Sequence, residues 1–186
     1  DRALSESREA VLATIEDSGL RGRGGAGFPT GRKWRAASVQ TATPKFIVAN
    51  ADEGDAGAFS DRFLMEEDPH AIIEGMAIAA YAVGAEKGWI YLRREYPAAR
   101  ASLAHALAEA RNFGILGGER DFDIEILMGH GSYICGEESS LMLAIEGRRP
   151  EAQARPPYPT ERGLYGLPTV TNNIETFATV PWIVRN

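Results

Sequence analysis

The residues best suited to chemistry in this sequence begin with a glycine-rich segment near the N-terminus. Five of the ten residues 22–31 are glycine, and residues 22–27 read GRGGAG. Glycine has no Cβ, so backbone N–H groups there can approach a phosphate or a flat ring. Lys33 and several arginines add positive charge, while Phe28 and Trp34 offer rings for stacking. This combination predicts a cradle for a nucleotide or a flavin.

The same segment matches the spacing G-x-G-x-x-G, which is weak evidence alone. A Rossmann fingerprint follows a strand and opens a helix, whereas here a helix is predicted before the run and Phe28-Pro29 follows it. The spacing of a Walker A loop is absent. The alternative is a glycine-rich surface turn flanked by solvated arginines, and we favour the cradle.

A polar segment follows the first predicted strand. The apolar residues 46–49 (FIVA) lead directly into residues 50–55 (NADEGD). Ligands of open α/β sheets gather at the carboxyl ends of strands. An asparagine amide suits the imide edge of a flavin ring, and carboxylates accept hydrogen bonds from sugar hydroxyls. A turn rich in Asn, Asp and Gly is the alternative interpretation.

Two later segments are expected at the same sheet edge. Residues 129–138 (GHGSYICGEE) follow the third predicted strand, and residues 171–173 (TNN) precede the last predicted helix, which they can cap. Both segments have a purely structural alternative. Cys135 is expected to be buried and unreactive, and His130 to be structural or on the surface.

The remaining pattern predicts an α/β fold with a mostly parallel sheet flanked by helices, because strands and helices alternate with crossovers long enough for βαβ units. Predicted strands cover residues 46–49, 89–92 and 123–128; predicted helices cover residues 5–17, 69–85, 97–113, about 138–146 and a last segment from about 173.

Composition limits the function further. The 186 residues carry a net charge of −6, which argues against nucleic acid or an anionic membrane as partner. With one cysteine and three scattered histidines, no disulfide, thiolate-bound iron–sulfur cluster or zinc site is expected within the chain. No apolar run approaches the length of a membrane span, and a cytoplasmic location is expected. No nucleophile–base arrangement is evident either, as suits chemistry that cofactors carry.

Taken together, four segments resemble the flavoprotein subunit family of respiratory complex I (NADH-quinone oxidoreductase), which includes the beta subunits of NAD-dependent formate dehydrogenases and NAD-reducing hydrogenases. The segments are residues 19–34 (GLRGRGGAGFPTGRKW), 50–55, 132–138 (SYICGEE) and 166–176 (GLPTVTNNIET), and the resemblance covers nearly the whole chain. It implies a Rossmann-like three-layer domain in which FMN and NAD(H) stack and exchange a hydride, without a catalytic side chain or metal ligand.

The resemblance also assigns site residues by motif. Those implied to hold FMN are Gly22, Arg23, Gly25, Lys33, Asn50, Asp52, Glu53, Tyr133, Gly136, Glu137, Asn172 and Asn173. Those implied to contact NAD(H) are Phe28, Asp55, Glu138, Arg155 and Tyr158. Three positions depart from the family: Ala49 stands where Cys is common, Asp55 where complex I members carry Glu, and Ala36 where an aromatic residue often adds to adenine stacking.

We expect residues 1–186 to form a single FMN/NAD(H) domain, a fragment of a longer subunit. The family's ubiquitin-like region and its helical region with a [4Fe–4S] cluster are not in this sequence. The resemblance further implies iron–sulfur partner subunits, including a thioredoxin-like [2Fe–2S] protein. The alternative function is a nucleotide-binding scaffold that keeps the fold without turnover. Which complex uses the chain, and in which direction the hydride moves, stays open.

Overall fold

A computed structural model describes residues 2–118 and 122–186. Its described strands form one four-stranded sheet in the order β3-β2-β1-β4, and every neighbouring pair is parallel. The strands are β1 (Phe46–Ala51), β2 (Lys87–Leu92), β3 (Asp123–Met128) and β4 (Thr169–Asn173). The predicted parallel α/β sheet is therefore confirmed.

Nine α-helices occur in the described residues. They are α1 (Arg2–Ser5), α2 (Arg8–Asp17), α3 (Thr30–Ser38), α4 (Ser60–Glu67), α5 (Pro69–Val83), α6 (Pro97–Asn112), α7 (Glu138–Ile145), α8 (Pro159–Arg162) and α9 (Ile174–Arg185). Short 3₁₀ turns cover Tyr133–Gly136 and Leu164–Gly166. Helices α5 and α6 confirm two of the predicted helices, and each has proline in its first turn. Helix α5 ends at Val83, before its predicted end at residue 85, because Gly84 adopts the left-handed region.

The sheet has a helical layer on each face. Alternate residues of β1 point to opposite sides: Ile47 and Ala49 join the larger core, which contains buried side chains of α2, α3, α5, α6 and α9. Phe46 and Val48 join a smaller core with Cys135 and buried residues of α7. The fold therefore has three layers, and Cys135 is buried as predicted.

Strand order reverses between β1 and β4. The chain runs outward from β1 to β2 and β3, then returns through α7 to place β4 on the other side of β1. The register pairs Ala49 with Asn172 and Asn50 with Asn173. Two polar strand ends thus lie side by side at the carboxyl edge of the sheet, where ligands of such folds bind.

Three elements correct the sequence interpretation. Helix α3 begins at Thr30, so the glycine-rich run does open a helix, although no strand precedes it. Its formation depends on tertiary packing: Trp34 is fully buried, and a Cβ on Gly31 would lie 2.6 Å from Glu16 of α2. Helix α4 and strand β4 were also not predicted. The short polar sequence TVTNN of β4 has no apolar run to signal a strand.

Within the described ranges, no helix has both the length and the apolarity that crossing a membrane requires.

Candidate functional site

A cavity of about 790 Å³ opens at the carboxyl ends of β1 and β4. This volume is that of a site for a sizeable small molecule. The glycine-rich loop, α3, the two strand ends, the start of α7 and the segment from Arg155 to Glu161 surround it. The predicted site residues that line it are Gly22, Phe28, Lys33, Asn50, Gly136, Glu137, Glu138, Arg155, Tyr158, Asn172 and Asn173.

The glycine-rich loop is a closed turn against the end of β4. Its two arms meet at a bridge between Arg21 and Pro29, and the Gly22 N–H donates to the Phe28 carbonyl at 2.9 Å. Gly25 has a φ of +104°, a conformation that residues with a Cβ rarely adopt. A Cβ on Gly24 would stand 3.5 Å from the Asn173 Cβ. Glycine therefore permits both the shape of the loop and its close approach to the strand.

The polar strand ends are held by their own hydrogen bonds. Asn50 Nδ2 donates to the Gly136 carbonyl at 2.9 Å, which joins the end of β1 to the turn before α7. Asn173 Oδ1 accepts from the Glu175 N–H at 2.8 Å and caps α9, as the sequence predicts. Asn172 Oδ1 accepts from the buried Trp34 indole at 3.0 Å.

Charged side chains form a network across the cavity. Lys33 Nζ donates to Glu138 Oε2 at 3.0 Å and to the Thr171 carbonyl at 2.9 Å. Arg155 Nη2 lies 3.0 Å from Glu138 and 2.6 Å from Glu137. Glu138 thereby bridges two cations from separate segments of the chain.

Glu137 has a second role as the N-cap of α7. Its carboxylate accepts from the backbone N–H groups of Ser139 and Ser140, at 2.9 and 3.0 Å. Burial alone would raise the pKa of Glu137, but these hydrogen bonds, that of the Ser139 hydroxyl and the Arg155 charge outweigh it and lower the pKa. Glu137 is therefore a fixed negative charge at the rim.

Two half-exposed aromatic rings line the outer part of the cavity. Phe28 is 52% exposed and Tyr158 is 54% exposed. Ala36 and Val39 of α3 lie in the same lining. Exposed ring faces at the mouth of a polar cavity suit stacking with a heteroaromatic base.

Other predicted residues lie outside this cavity. Arg23 pairs with Glu175 at 3.5 Å on the protein surface. Asp52 and Tyr133 line a separate recess of about 70 Å³, and the Tyr133 hydroxyl donates to Asp55 Oδ1 at 2.8 Å. Burial raises the pKa of Asp52, whose Oδ2 is buried and has no hydrogen-bond partner among the described residues. Gly25 shapes the loop without lining the cavity.

Glu53 is buried and acts as a structural hub. Its carboxylate accepts from the backbone N–H groups of Asp61 and Arg62 in the first turn of α4, at 3.1 and 3.2 Å. The Tyr96 hydroxyl also donates to it, at 3.2 Å, and the Arg93 guanidinium donates to the Glu53 carbonyl. In this arrangement Glu53 fixes the loop after β1.

The residues present fit a phosphorylated flavin. Lys33 and Arg155 supply positive charge, the glycine-rich loop supplies an approachable backbone, and the asparagines supply amides. Thr171, which the sequence analysis placed at this edge without a ligand-binding role, also lines the cavity, and its Oγ1 is buried without a partner in the described chain. Its signal was its position two residues before Asn173, on the same face of β4.

No group of three or more His, Cys, Asp and Glu residues in the described ranges is arranged to hold a metal ion.

Comparisons with known proteins agree with this geometry. The family model described as Nuo51 FMN-binding domain matches residues 15–182. A subunit of the NADH-quinone oxidoreductase of Aquifex aeolicus is 48% identical over 189 residues, covering 99% of this chain and 44% of that protein. The alpha subunit of the NAD-reducing hydrogenase HoxS of Cupriavidus necator is 48% identical over 191 residues, covering 100% of this chain and 32% of that protein.

A solved structure is also similar over the whole chain. The crystal structure of an NAD⁺-reducing [NiFe]-hydrogenase in the H₂-reduced state superposes with a TM-score of 0.91 at 43% identity, covering all of this chain and 32% of that one. The chain thus spans less than half the length of these relatives. The match over residues 15–182 confirms the resemblance seen in the four motifs, and the chain belongs to the Nuo51 FMN-binding domain family.

Proposed function

We propose that this chain binds FMN and NAD(H) in the cavity at the carboxyl edge of its sheet and catalyses hydride transfer between them. The observation that carries the proposal is the convergence of Lys33, the glycine-rich loop, Asn50 and Asn173 on one cavity, in a member of this family. When bound, the flavin supplies a ring that exchanges a hydride with nicotinamide and releases electrons singly. The chain itself supplies binding, orientation and charge.

Lys33 and the glycine-rich loop are the proposed phosphate-binding elements. The Lys33 ammonium uses two of its three hydrogens on Glu138 and Thr171 in the described structure, which leaves one for a phosphate oxygen. A charge-assisted bond of this type is about twice as strong as a neutral one. Lys33 therefore contributes both a positive charge and an oriented hydrogen-bond donor.

Asn50 and Asn173 are the proposed partners of the flavin ring. Each amide makes two hydrogen bonds within the chain, which fixes its orientation. An amide offers two donor hydrogens and two acceptor lone pairs, so each retains one donor and one acceptor. That pairing matches the alternating acceptors and donor on the polar edge of a flavin.

Phe28, Tyr158 and Arg155 are the proposed binding groups for NAD(H). The two rings offer stacking faces at the cavity mouth, and the Arg155 guanidinium can pair with a pyrophosphate. Glu138 lies between Arg155 and Lys33, where a carboxylate can accept from ribose hydroxyls. We also propose the family-implied contacts of Arg23, Asp52, Glu53, Asp55, Tyr133 and Gly25, although these residues are outside the cavity lining.

For the whole protein we propose membership of a multisubunit electron-transfer complex. The relatives are named as subunits of NADH-quinone oxidoreductase and of NAD-reducing hydrogenase. We propose that residues 1–186 act as one domain of a longer chain, with a [4Fe–4S] cluster in its further region, a thioredoxin-like [2Fe–2S] partner and a cytoplasmic location.

The test is an FMN titration of the protein followed by anaerobic addition of NADH. We expect quenching of flavin fluorescence on binding, then loss of the long-wavelength flavin absorbance as NADH is added. Lys33→Ala and Asn50→Ala should each weaken FMN binding about tenfold or more, the effect of one lost hydrogen bond to a charged or buried partner. Unchanged binding in both variants would contradict these assignments. Failure of the unmodified protein to bind FMN would contradict the function.

One further outcome distinguishes the alternative function from the proposed hydride transfer. NADH that binds without bleaching bound flavin would identify a nucleotide-binding scaffold. Ala36, which lies in the cavity lining where the family resemblance implies an aromatic residue, is the feature that favours testing this outcome.

A further inference from the structure

Asp61 is a buried carboxylate immediately behind the cavity. It lies in the first turn of α4 and is only 6% exposed. Its Oδ2 accepts a hydrogen bond from Asn173 Nδ2, while its backbone N–H donates to Glu53 Oε1 at 3.1 Å. Asp61 itself is not in the cavity lining, but Asn173 is. Any influence of Asp61 on a bound ligand therefore passes through Asn173.

The surroundings of Asp61 are mostly acidic. Glu53 approaches from the loop after β1, and Glu175 approaches from α9, where it pairs with Arg23. Arg62 on the same helix pairs with Glu66 instead, and Arg93 and Tyr96 contact Glu53. Within the described residues no cation forms an ion pair with Asp61. The carboxyl thus lacks the partner that a buried anion normally requires.

Protonation of Asp61 removes the unpaired buried charge. Burial and the Glu53 charge raise the pKa of Asp61 to about 7, although the hydrogen bond from Asn173 lowers it. Either form of Asp61 retains a lone pair for the Asn173 amide.

We propose that Asp61 is a positioning residue of the flavin site, which together with Glu53 holds the Asn173 amide in its ligand-binding orientation. The inference rests on the proposed function. Asn173 is held at both ends, by Asp61 on one side and by its cap to Glu175 on the other. Loss of the Asp61 acceptor frees one end, and the amide can then rotate away from the orientation that binds the ring.

A double-mutant cycle on FMN affinity tests this inference. We expect Asp61→Ala to raise the FMN Kd about tenfold in the unmodified protein, and less than about twofold in the Asn173→Ser background, because the two residues act through one hydrogen bond. Asp61→Asn, which keeps shape and acceptor, should bind nearly as well as the unmodified protein at pH 6. Equal effects of Asp61→Ala in both backgrounds would overturn the proposal.

A matched control separates positioning from general destabilisation. Asp68 caps α5 and accepts from the Ala71 N–H at 3.3 Å, but lies outside the cavity lining. Asp68→Ala removes the side-chain hydrogen bond of another aspartate at a helix start and should leave the FMN Kd unchanged. A tenfold loss of FMN affinity in Asp68→Ala would show that the effect of Asp61→Ala reflects general destabilisation. Loss of the cooperative thermal transition in Asp61→Asn would show the same.

The pH profile supplies a readout that packing alone would not move. The ratio of the FMN Kd of Asp61→Asn to that of the unmodified protein should rise about fivefold from pH 6 to pH 8, because only the native carboxyl gains a charge-assisted bond to Asn173. Titration of the FMN phosphate cancels in this ratio. A constant ratio would contradict the inference alone, whereas absence of FMN binding by the unmodified protein would overturn the proposed function and the inference together.

Discussion

The ammonium of Lys33 lies 3.0 Å from the carboxylate of Glu138, across 105 residues of sequence. The two side chains are 19% and 18% exposed, so the pair is largely shielded from solvent. Arg155 reaches the same carboxylate at 3.0 Å. The contact joins the helix after the glycine-rich loop to the start of α7, and it places positive charge at the centre of the proposed phosphate site.

Replacing Lys33 with Met should weaken FMN binding strongly. The substitution removes the ammonium while keeping an unbranched side chain, and a hydrogen bond to a charged group contributes about 1.5–3 kcal/mol, or about 10- to 100-fold in Kd. Fluorescence titration with FMN measures the effect. Riboflavin, which lacks the phosphate, should lose far less affinity if Lys33 faces the phosphate.

Lys87 provides the matched lysine. It pairs with Glu125 at the opposite, amino-terminal end of the strands, at 2.5 Å. Lys87→Met should leave the FMN Kd within about twofold of the unmodified value, as expected for a surface ion pair. An equal loss in both lysine variants would show that net charge, rather than position, governs binding.

Gly25→Ala should impair FMN binding through the shape of the loop. Nothing lies within 4 Å of a Cβ at Gly25, so steric clash is absent, but a φ of +104° costs a residue with a Cβ about 1–3 kcal/mol. We expect the loop to relax and the FMN Kd to rise about tenfold. Gly147, with a φ of +73° after α7 and likewise open space around it, is the control. Gly147→Ala should lower the thermal midpoint without changing the FMN Kd; the reverse result would contradict the assignment.

The sequence predicted the elements whose signals are local. Apolar runs identified β1 to β3, and proline and glycine marked the two ends of α6, because strand periodicity and helix caps depend on near neighbours. Helix α3 and strand β4 depend instead on distant contacts. Trp34 is buried by packing against other elements, and the polar Thr171 is a strand residue because β1 lies beside it.

The same distinction holds within the site. Lys33, Asn50 and Asn173 were identified because their motifs are continuous in sequence, and all three line the cavity. Motif membership did not separate Glu53, which faces α4, from its neighbour Asn50. Asp61 follows the acidic motif in sequence but received no role from it, since its importance arises from burial beside Asn173, which is 112 residues away.

Ala36→Phe should tighten NADH binding. Ala36 lies in the cavity lining near Phe28, where an added ring can stack on a base. An aromatic contact is worth about 0.5–1.5 kcal/mol beyond its area, or about two- to tenfold in affinity. The KM for NADH with an artificial electron acceptor should fall by that factor while kcat stays constant. Ala36→Leu adds apolar area without a ring and should give a smaller gain; an equal gain would attribute the effect to burial rather than stacking.

Asp61 should make the protein less stable as pH rises from about 4 to about 7. Its pKa is about 7 in the folded state against an ordinary value of 3.8, so between these pH values the folded state binds more protons than the unfolded state. Stability linked to this group therefore falls with increasing pH, by about 1.4 kcal/mol per unit over the affected range. Asp61→Asn has no proton to lose there.

Urea unfolding at pH 5 and pH 8 should show the unmodified protein losing on the order of 2 kcal/mol relative to Asp61→Asn. Groups such as Asp52 and Lys45, whose pKa values burial also shifts, are common to both proteins and cancel in this difference. A difference in unfolding free energy that is the same at both pH values would show that Asp61 is already charged in the folded protein at pH 5.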